Sequence, residues 1–467
     1  MASGLPPAMD RPHFIGIGGA GMSGIAKILA QRGARVAGSD AKDSATAEAL
    51  RALGATVHLG HAAGHLADDT TAVVVSSAIR PDNPELVRAA ELGIPVVHRS
   101  DALAALMDGT RPIAVAGTHG RTTTTSMLAV SLAALCRDPS YAIGGDLDAP
   151  GSNALHGTGE IFVAEADESD RSFHKYAPEV AIVLNVELDH HANYASIEEI
   201  HESFETFAAR IVPGGTLVIS ADHEGARELT RRLAAKGLPG VTVRTSGEAA
   251  DADVRVVSIV PQGLRSEVTV RIDGAELTFG VSVPGRHYAL NAVAALTAAV
   301  ALGIPAAEMA PAIAAYTGVK RRLQLKGEAA GVQVIDSYAH HPSEMTADLE
   351  AIRGAVAADA RLLVLFQPHL FSRTQELGKE MGQALGLADA SVVLEIYPAR
   401  EDPIPGVTSA LIIDAARAAG ADVTALADRS AAASVLAGMA KPGDLVLTMG
   451  AGDVTELGPD ILDHLSK

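Results

Sequence analysis

Cysteine is almost absent. The single Cys136 in 467 residues excludes an intramolecular disulfide and any multi-cysteine metal site, which fits a reducing compartment. Basic residues are also short, 37 Lys and Arg against 56 Asp and Glu, for a net charge of −19. So acidic a surface argues against nucleic acid or an anionic membrane as a partner. It does not argue against a phosphorylated small molecule, which loops and helix ends bind locally. Long hydrophobic runs are missing too: the most apolar stretch, AVAALTAAVALGI at 292–304, has 13 residues, where a spanning helix needs ~20. The opening MASGLPPAMDRPH has neither the basic nor the apolar region of a signal peptide. The expectation is a cytoplasmic protein with no membrane insertion and no nucleic-acid partner.

What is present is ordinary globular material, 48% hydrophobic and 20% charged, in a chain long enough for about three domains at ~100–200 residues each. Apolar runs alternate with alanine-rich helical patterns, which predicts α/β units around largely parallel sheets. Strands are expected at 13–17, 34–40, 72–78 and 95–98, with a first helix at 22–33. The pattern restarts near Arg111 with a strand at 112–117 and a helix at 122–135. From 251 to 283 the residues alternate (DVRVVSIV, SEVTVRI, ELTFGVSV), which reads as antiparallel strands appended to the middle unit. A helix at 288–302 follows, and strands at 361–368, 391–398 and 444–452 complete a third region. The expected domains are 1–110, 111–319 and 320–467.

Five motifs sit where such a fold would place chemistry. GIGGAG at 16–21 matches G-x-G-x-x-G between a strand and a helix, with Asp40 about 20 residues on. Its glycines allow a sharp turn and close approach to a pyrophosphate. The same letters fit NAD, another diphosphate-bearing nucleotide, or a tight turn without a ligand. AVAGTHGRTTTT at 114–125 is a shortened P-loop in which backbone amides would cradle β- and γ-phosphates and Thr122 would ligate Mg²⁺. The expected lysine is Arg121, whose wide planar guanidinium is not equivalent to a point charge. VAEADESDRSF at 163–173 ends a strand in Glu165, Asp167, Glu168 and Asp170, the hard oxygen donors a Mg²⁺–phosphate site needs, or else a solvated acidic turn. NVELDHHANY at 185–194 places Asp189, His190 and His191 at a strand end. VIDSYAHHPSEM at 334–345 and FQPHLFSRT at 366–374 gather histidine, tyrosine and an arginine able to clamp a carboxylate.

In this order the motifs resemble the Mur ligases, across essentially the whole chain, from HFIGIGGAGMSGIA through GTHGRTTTTSMLA, EADESD, GVKRRLQLKG, DSYAHHPSE, FQPHLFSRT and EIYPAREDPIPGVT to GAGDV. EADESD and GAGDV favour the alanine-adding branch over the murein-peptide-recycling one. The resemblance implies three domains: a Rossmann-like N-terminal domain, a P-loop-type central ATPase domain with appended antiparallel strands, and a Rossmann-like C-terminal domain that closes over the amino acid. It implies ATP-dependent joining of L-alanine to the lactyl carboxylate of UDP-N-acetylmuramate through an acyl phosphate. ATP is then a co-substrate, Mg²⁺ (or Mn²⁺) the cofactor, and the protein a monomer or homodimer.

Carried over position by position, the resemblance assigns the UDP-sugar to Gly16, Gly18, Gly19, Ala20, Gly21, Met22, Ser39, Asp40, Ser76 and Ser77. It assigns ATP to Gly117, Thr118, His119, Gly120, Arg121, Thr122 and Thr123, with Asn291 at the adenine and Arg322 and Asp336 from the C-terminal domain. Arg121, Thr122, Glu165 and His190 would be catalytic, the last three of them as metal ligands. Tyr338, His340, His341 and Arg373 would receive the amino acid. Three letters depart from the family pattern: Arg121 for lysine, Ser337 for the second aspartate of DDYAHHP, and Ala192 for the last aspartate of N-x-E-x-D-H-x-D. The first leaves two readings, an active ligase and a nucleotide- and UDP-sugar-binding protein impaired in phosphoryl transfer.

Overall fold

The computed structural model describes residues 9–147, 152–188, 194–357, 360–399 and 401–467. They form three sheets. In the first, β1 (Pro12–Ile15), β2 (Ala37–Asp40), β3 (Thr56–Leu59), β4 (Ala72–Val75) and β5 (Val96–His98) lie all parallel in the order 3-2-1-4-5. Strands buried on both faces read as continuous apolar runs, as in the fully buried PHFI of β1. Helix α1 (Ala20–Gln31) follows β1 across the glycine turn, and α2 (Arg99–Met107) follows β5 directly.

The central sheet contains β6 (Arg111–Ala116), β7 (Ser140–Ala142), β8 (Ala154–Leu155), β9 (Ile161–Glu165), β10 (Val180–Val183), β11 (Thr216–Ser220), β12 (Thr242–Gly247), β13 (Val254–Pro261), β14 (Ser266–Ile272) and β15 (Ala275–Val281), in the order 15-14-13-12-11-10-6-9-7-8. Helix α3 (Arg121–Ala134) springs from the end of β6, and α4 (Arg286–Ala301) follows β15. The alternating stretch does form the outer strands β13–β15, because residues alternating between a buried and a wet face suit a one-sided sheet: β14 buries every second side chain. The apolar stretch at 292–304 is mostly α4, a core helix rather than a span. Among the described residues no helix is long and apolar enough to cross a membrane.

The last sheet holds β16 (Gln324–Ala329), β17 (Val332–Ser337), β18 (Leu362–Phe366), β19 (Ala390–Leu394), β20 (Val423–Leu426) and β21 (Leu445–Met449), in the order 16-17-21-18-19-20. Only the β16–β17 pair is antiparallel among its pairings. Helices α5 (Pro342–Ala355) and α6 (Phe371–Leu385) follow β17 and β18.

The chain clusters into two compact units. One takes in the chain to Ser258 with Thr269–Phe279 and Leu290–Tyr316, and so carries the first sheet and most of the central one. The other takes in Ile259–Val268, Gly280–Ala289 and Thr317–Lys467. Within the first unit one apolar core runs from Phe14 and Ile25 under the first sheet to Phe162, Phe204 and Leu217 around the central sheet. Its continuity comes from close approach: a Cβ on Gly24 of α1 would stand 3.2 Å from Ala154 Cβ in β8.

Candidate active site

The first glycine loop follows β1, whose neighbours β2 and β4 lead to opposite edges of the sheet. That is the switch point where open α/β sheets bind ligands. Gly16 has φ +79°, a conformation that glycine alone adopts at little cost, and the amides of Gly16 and Ile17 both donate to Ser39 O. Asp40 is used by the protein itself: its Oδ2 accepts from the Gly18 amide at 2.9 Å. A carboxylate so engaged shapes the loop. Gly19 and Gly21 are exposed, whereas Met22 turns its side chain into the core. Ala20 begins α1.

Ser39 is fully buried, and its hydroxyl donates to Glu85 Oε2 at 2.6 Å. Sequence reading missed Glu85, a fully buried carboxylate that also faces His13, His61 and His65. Burial would raise its pKa, but His13 and Ser39 overrule that and bring it down to about 2. Ser76 is half-buried and Ser77 exposed, and Ser77 Oγ donates to Asp170 Oδ2 at 2.9 Å.

The P-loop connects β6 to α3. Gly117 (φ +141°) and Gly120 (φ +85°) make the turn, and a side chain at 120 would meet Asn291 of α4 at 2.9 Å. Thr118, Thr122 and Thr123 are buried. Thr124 and Thr125 return their hydroxyls to the carbonyls of Gly120 and Arg121, so they serve the helix rather than a ligand. The loop is gripped from β10: Asn185 accepts from the His119 amide at 2.8 Å and donates to the His119 carbonyl at 3.0 Å. The neighbouring Glu187 receives His119 and His223, which hold its carboxyl well below the usual range. Asn185 and Glu187 were missed although NVELDHH contains both. Asp189, His190 and His191 of that motif lie outside the described residues.

Thr122 Oγ1 donates to Glu165 Oε2 at 3.0 Å, and the Gly144 amide donates to the same oxygen at 2.7 Å. Two oxygens bound side by side to octahedral Mg²⁺, each at 2.0–2.1 Å, stand about 3 Å apart. The pair therefore fits the cation the motif implies, in hard-oxygen chemistry and in spacing. Arg121 folds over it, with Nη1 donating to Gly117 O at 3.0 Å and the guanidinium facing Glu168, Glu165 (3.6 Å) and Asp167 (3.7 Å). Glu168 is 2% exposed. Burial would raise the pKa of Asp167, but Arg121 and Arg99 together hold it far below the carboxylate range.

In the second unit the ends of β17, β18, β19 and β21 converge. Asp336 is 0% exposed. Its oxygens accept from Thr448 at 2.7 Å and Thr455 at 2.6 Å, and Arg321 and Lys326 each approach it to 3.7 Å. Arg322 lies 3.8 Å from Glu344 and stacks over Tyr338. Arg321, at φ +64°, reaches the carbonyls of Gly450 (2.5 Å) and Gly452 (2.9 Å) in the GAGDV loop. His340 packs edge-on against Tyr338 and His369, and His369 stacks on Tyr397 and meets Arg373 at 3.4 Å. Burial, aided by Arg373, pushes His340 down to about 4 against the pull of Glu344. The ring is then neutral, and Nδ1 donates to Tyr338 O at 3.0 Å. His341 instead caps α5, accepting from the Ser343 amide. Ser337 donates to Asp348, a buried use for the letter that departs from the family pattern. His369 and Tyr397 were missed; His369 lies inside the quoted FQPHLFSRT.

Three family models match the chain: the Mur ligase family catalytic domain over 11–111, the Mur ligase middle domain over 115–299, and the Mur ligase glutamate ligase domain over 321–452. Among curated relatives, the UDP-N-acetylmuramate–L-alanine ligase of Streptomyces coelicolor is 83% identical over 467 residues, covering all of both chains. That of Saccharopolyspora erythraea is 52% identical, covering all of this chain and 95% of the relative. Among solved structures, the UDP-N-acetylmuramate–alanine ligase of Thermotoga maritima superposes with a TM-score of 0.80 at 27% identity, covering 97% of this chain and 98% of its own. A murein peptide ligase of Psychrobacter arcticus gives 0.70 at 25% identity, covering 98% and 99%. Two glycine loops between strand and helix on α/β sheets, a threonine–carboxylate pair spaced for a divalent cation and these full-length matches agree: the chain belongs to the Mur ligase family.

Proposed function

We propose that this chain joins L-alanine to the lactyl carboxylate of UDP-N-acetylmuramate at the expense of ATP, a step of peptidoglycan precursor synthesis. The observation that carries the reading is the Thr122–Glu165 pair behind the P-loop, in a chain whose whole length matches ligases of that name. Residues 1–110 would bind the UDP-sugar, 111–319 ATP and 320–467 the amino acid, in a cytoplasmic monomer or homodimer.

The lactyl oxygen attacks the γ-phosphorus of ATP, the bond to the β,γ-bridging oxygen breaks, and ADP and an acyl phosphate form. The alanine nitrogen then adds to the acyl carbon, and the tetrahedral adduct expels inorganic phosphate and loses a proton to give the amide. Catalysis of this kind is mostly positioning and charge neutralisation. The loop amides at 117–120 other than that of His119, which Asn185 holds, and the N-terminus of α3 would receive phosphate oxygens. Thr122 and Glu165, joined by His190, would hold Mg²⁺ or Mn²⁺, which when bound neutralises phosphate charge. Arg121 brings a fixed cation to the transferring phosphoryl group. By the resemblance Asn291 would meet the adenine, and Arg322 and Asp336 would be ATP contacts of the C-terminal domain. Arg373 clamps the alanine carboxylate beside Tyr338, His340 and His341.

The grip of Glu168 and Glu165 on Arg121 favours a second reading, a UDP-sugar-binding protein slow in phosphoryl transfer. Phosphate release from ATP, with both substrates present, decides. Release that requires acceptor and alanine together establishes the ligase. A silent wild type rescued by Arg121→Lys establishes the second reading.

A further inference from the structure

One side chain that the mechanism above does not use ties the two phosphate loops of the first unit together. Arg99 opens α2, and its side chain is 18% exposed. Its Nη2 donates to Asp167 Oδ2 at 2.9 Å and to Asp170 Oδ2 at 3.0 Å. Its Nη1 reaches the other way, to 3.1 Å from where a Cβ on Gly21 would stand. One guanidinium therefore spans from the last glycine of the first loop to the acidic turn after β9. From there the charges continue: Asp167 faces Arg121 at 3.7 Å, and Arg121 faces Glu165 at 3.6 Å.

The exposed backbone at Gly21 is where a diphosphate on the first loop would lie. Guanidinium forks match phosphate as well as carboxylate, so the diphosphate and the two aspartates compete for one cation. Arg99 and Arg121 are set against the four carboxylates Glu165, Asp167, Glu168 and Asp170. Drawing Arg99 away leaves this turn more negative, and the nearest consequence falls on the cation that Thr122 and Glu165 would hold.

We propose that Arg99 is a positioning residue coupling the two sites: a diphosphate on the 16–21 loop draws its guanidinium from Asp167 and Asp170, and the acidic turn then binds a divalent cation more tightly. Linkage makes the effect reciprocal. The inference rests on the proposed function, because it takes the first loop to be the UDP-sugar site.

The test titrates Mn²⁺ into the full chain by calorimetry, with and without saturating UDP-N-acetylmuramate, subtracting chelation by the free diphosphate. In the wild type the acceptor should tighten Mn²⁺ binding at least ~5-fold, and in Arg99→Gln the ratio should fall below ~2-fold while the acceptor still binds. An unchanged ratio in Arg99→Gln, or no tightening in the wild type, overturns the proposal. If Arg99→Gln does not fold, Asp170→Asn decides: the ratio should shrink because one competitor for Arg99 is gone, and an unchanged ratio overturns the coupling. A wild type that does not bind UDP-N-acetylmuramate overturns the proposed function itself, whereas binding without coupling overturns only this inference.

Discussion

Asn185 holds His119 by both ends of its peptide unit, accepting from the amide at 2.8 Å and donating to the carbonyl at 3.0 Å. A strand-end side chain thus stands in for a neighbouring strand and fixes the P-loop. Asn185→Ala should leave both His119 groups without that partner and lower stability by about 1–3 kcal/mol. It should also raise KM for ATP more than it lowers kcat. Urea unfolding and steady-state kinetics check the two halves.

Thr122 and Glu165 would hold the cation in the proposed mechanism. Glu165→Gln keeps the size and the hydrogen bonds but removes the charge, and should cut kcat by ~100-fold or more, the scale of losing one charge-stabilising group in a transition state. The Mg²⁺ concentration for half-maximal phosphate release should rise in parallel. An unchanged Mg²⁺ dependence would remove Glu165 from the metal site.

Arg121 neutralises the buried Glu168. Arg121→Ala leaves that carboxylate without its guanidinium and should lower stability by about 3 kcal/mol, as truncating one partner of a buried ion pair does. Arg121→Lys should keep most of that stability. Denaturant midpoints of the three proteins give the comparison.

His340 gives a pH signature. Its folded pKa of about 4 lies below the unfolded value of about 6.5. Between those values the unfolded chain binds the extra proton, so stability rises with pH across this window and is fully present above it. Acidifying from pH 6.5 toward 4 should cost up to about 3 kcal/mol through this group. His340→Gln should flatten that part of the stability–pH curve. Equal slopes in wild type and variant would show that the burial of His340 is not what sets it.

Much of this was legible in the sequence because it is local. A glycine pair between an apolar run and a helical pattern specifies a strand–turn–helix wherever it occurs, and 16–21 and 117–122 fold as read. Alternation at 251–283 encodes one-sided strands for the same reason, since period two is set by backbone geometry. The acidic letters at 165–170 announced charge, but not which carboxylate meets which cation.

What only the tertiary structure decided is pairing across long sequence separations. The spacing of Asp40 from the first glycine loop was legible, but that its Oδ2 accepts from the Gly18 amide was not. Ser39 and Asp336, assigned to ligands by the resemblance, also have partners within the protein, Glu85 for the one and Thr448 and Thr455 for the other, because burying a polar group requires a partner. Glu85 and Arg99 carry no motif of their own, and nothing within NVELDHH marks Asn185: their partners lie 46, 68 and 66 residues away. Motif spacing sets the backbone path and the chemistry available at each strand end. The destination of each side chain depends on which strands become neighbours, and that follows from packing apolar faces across the whole chain.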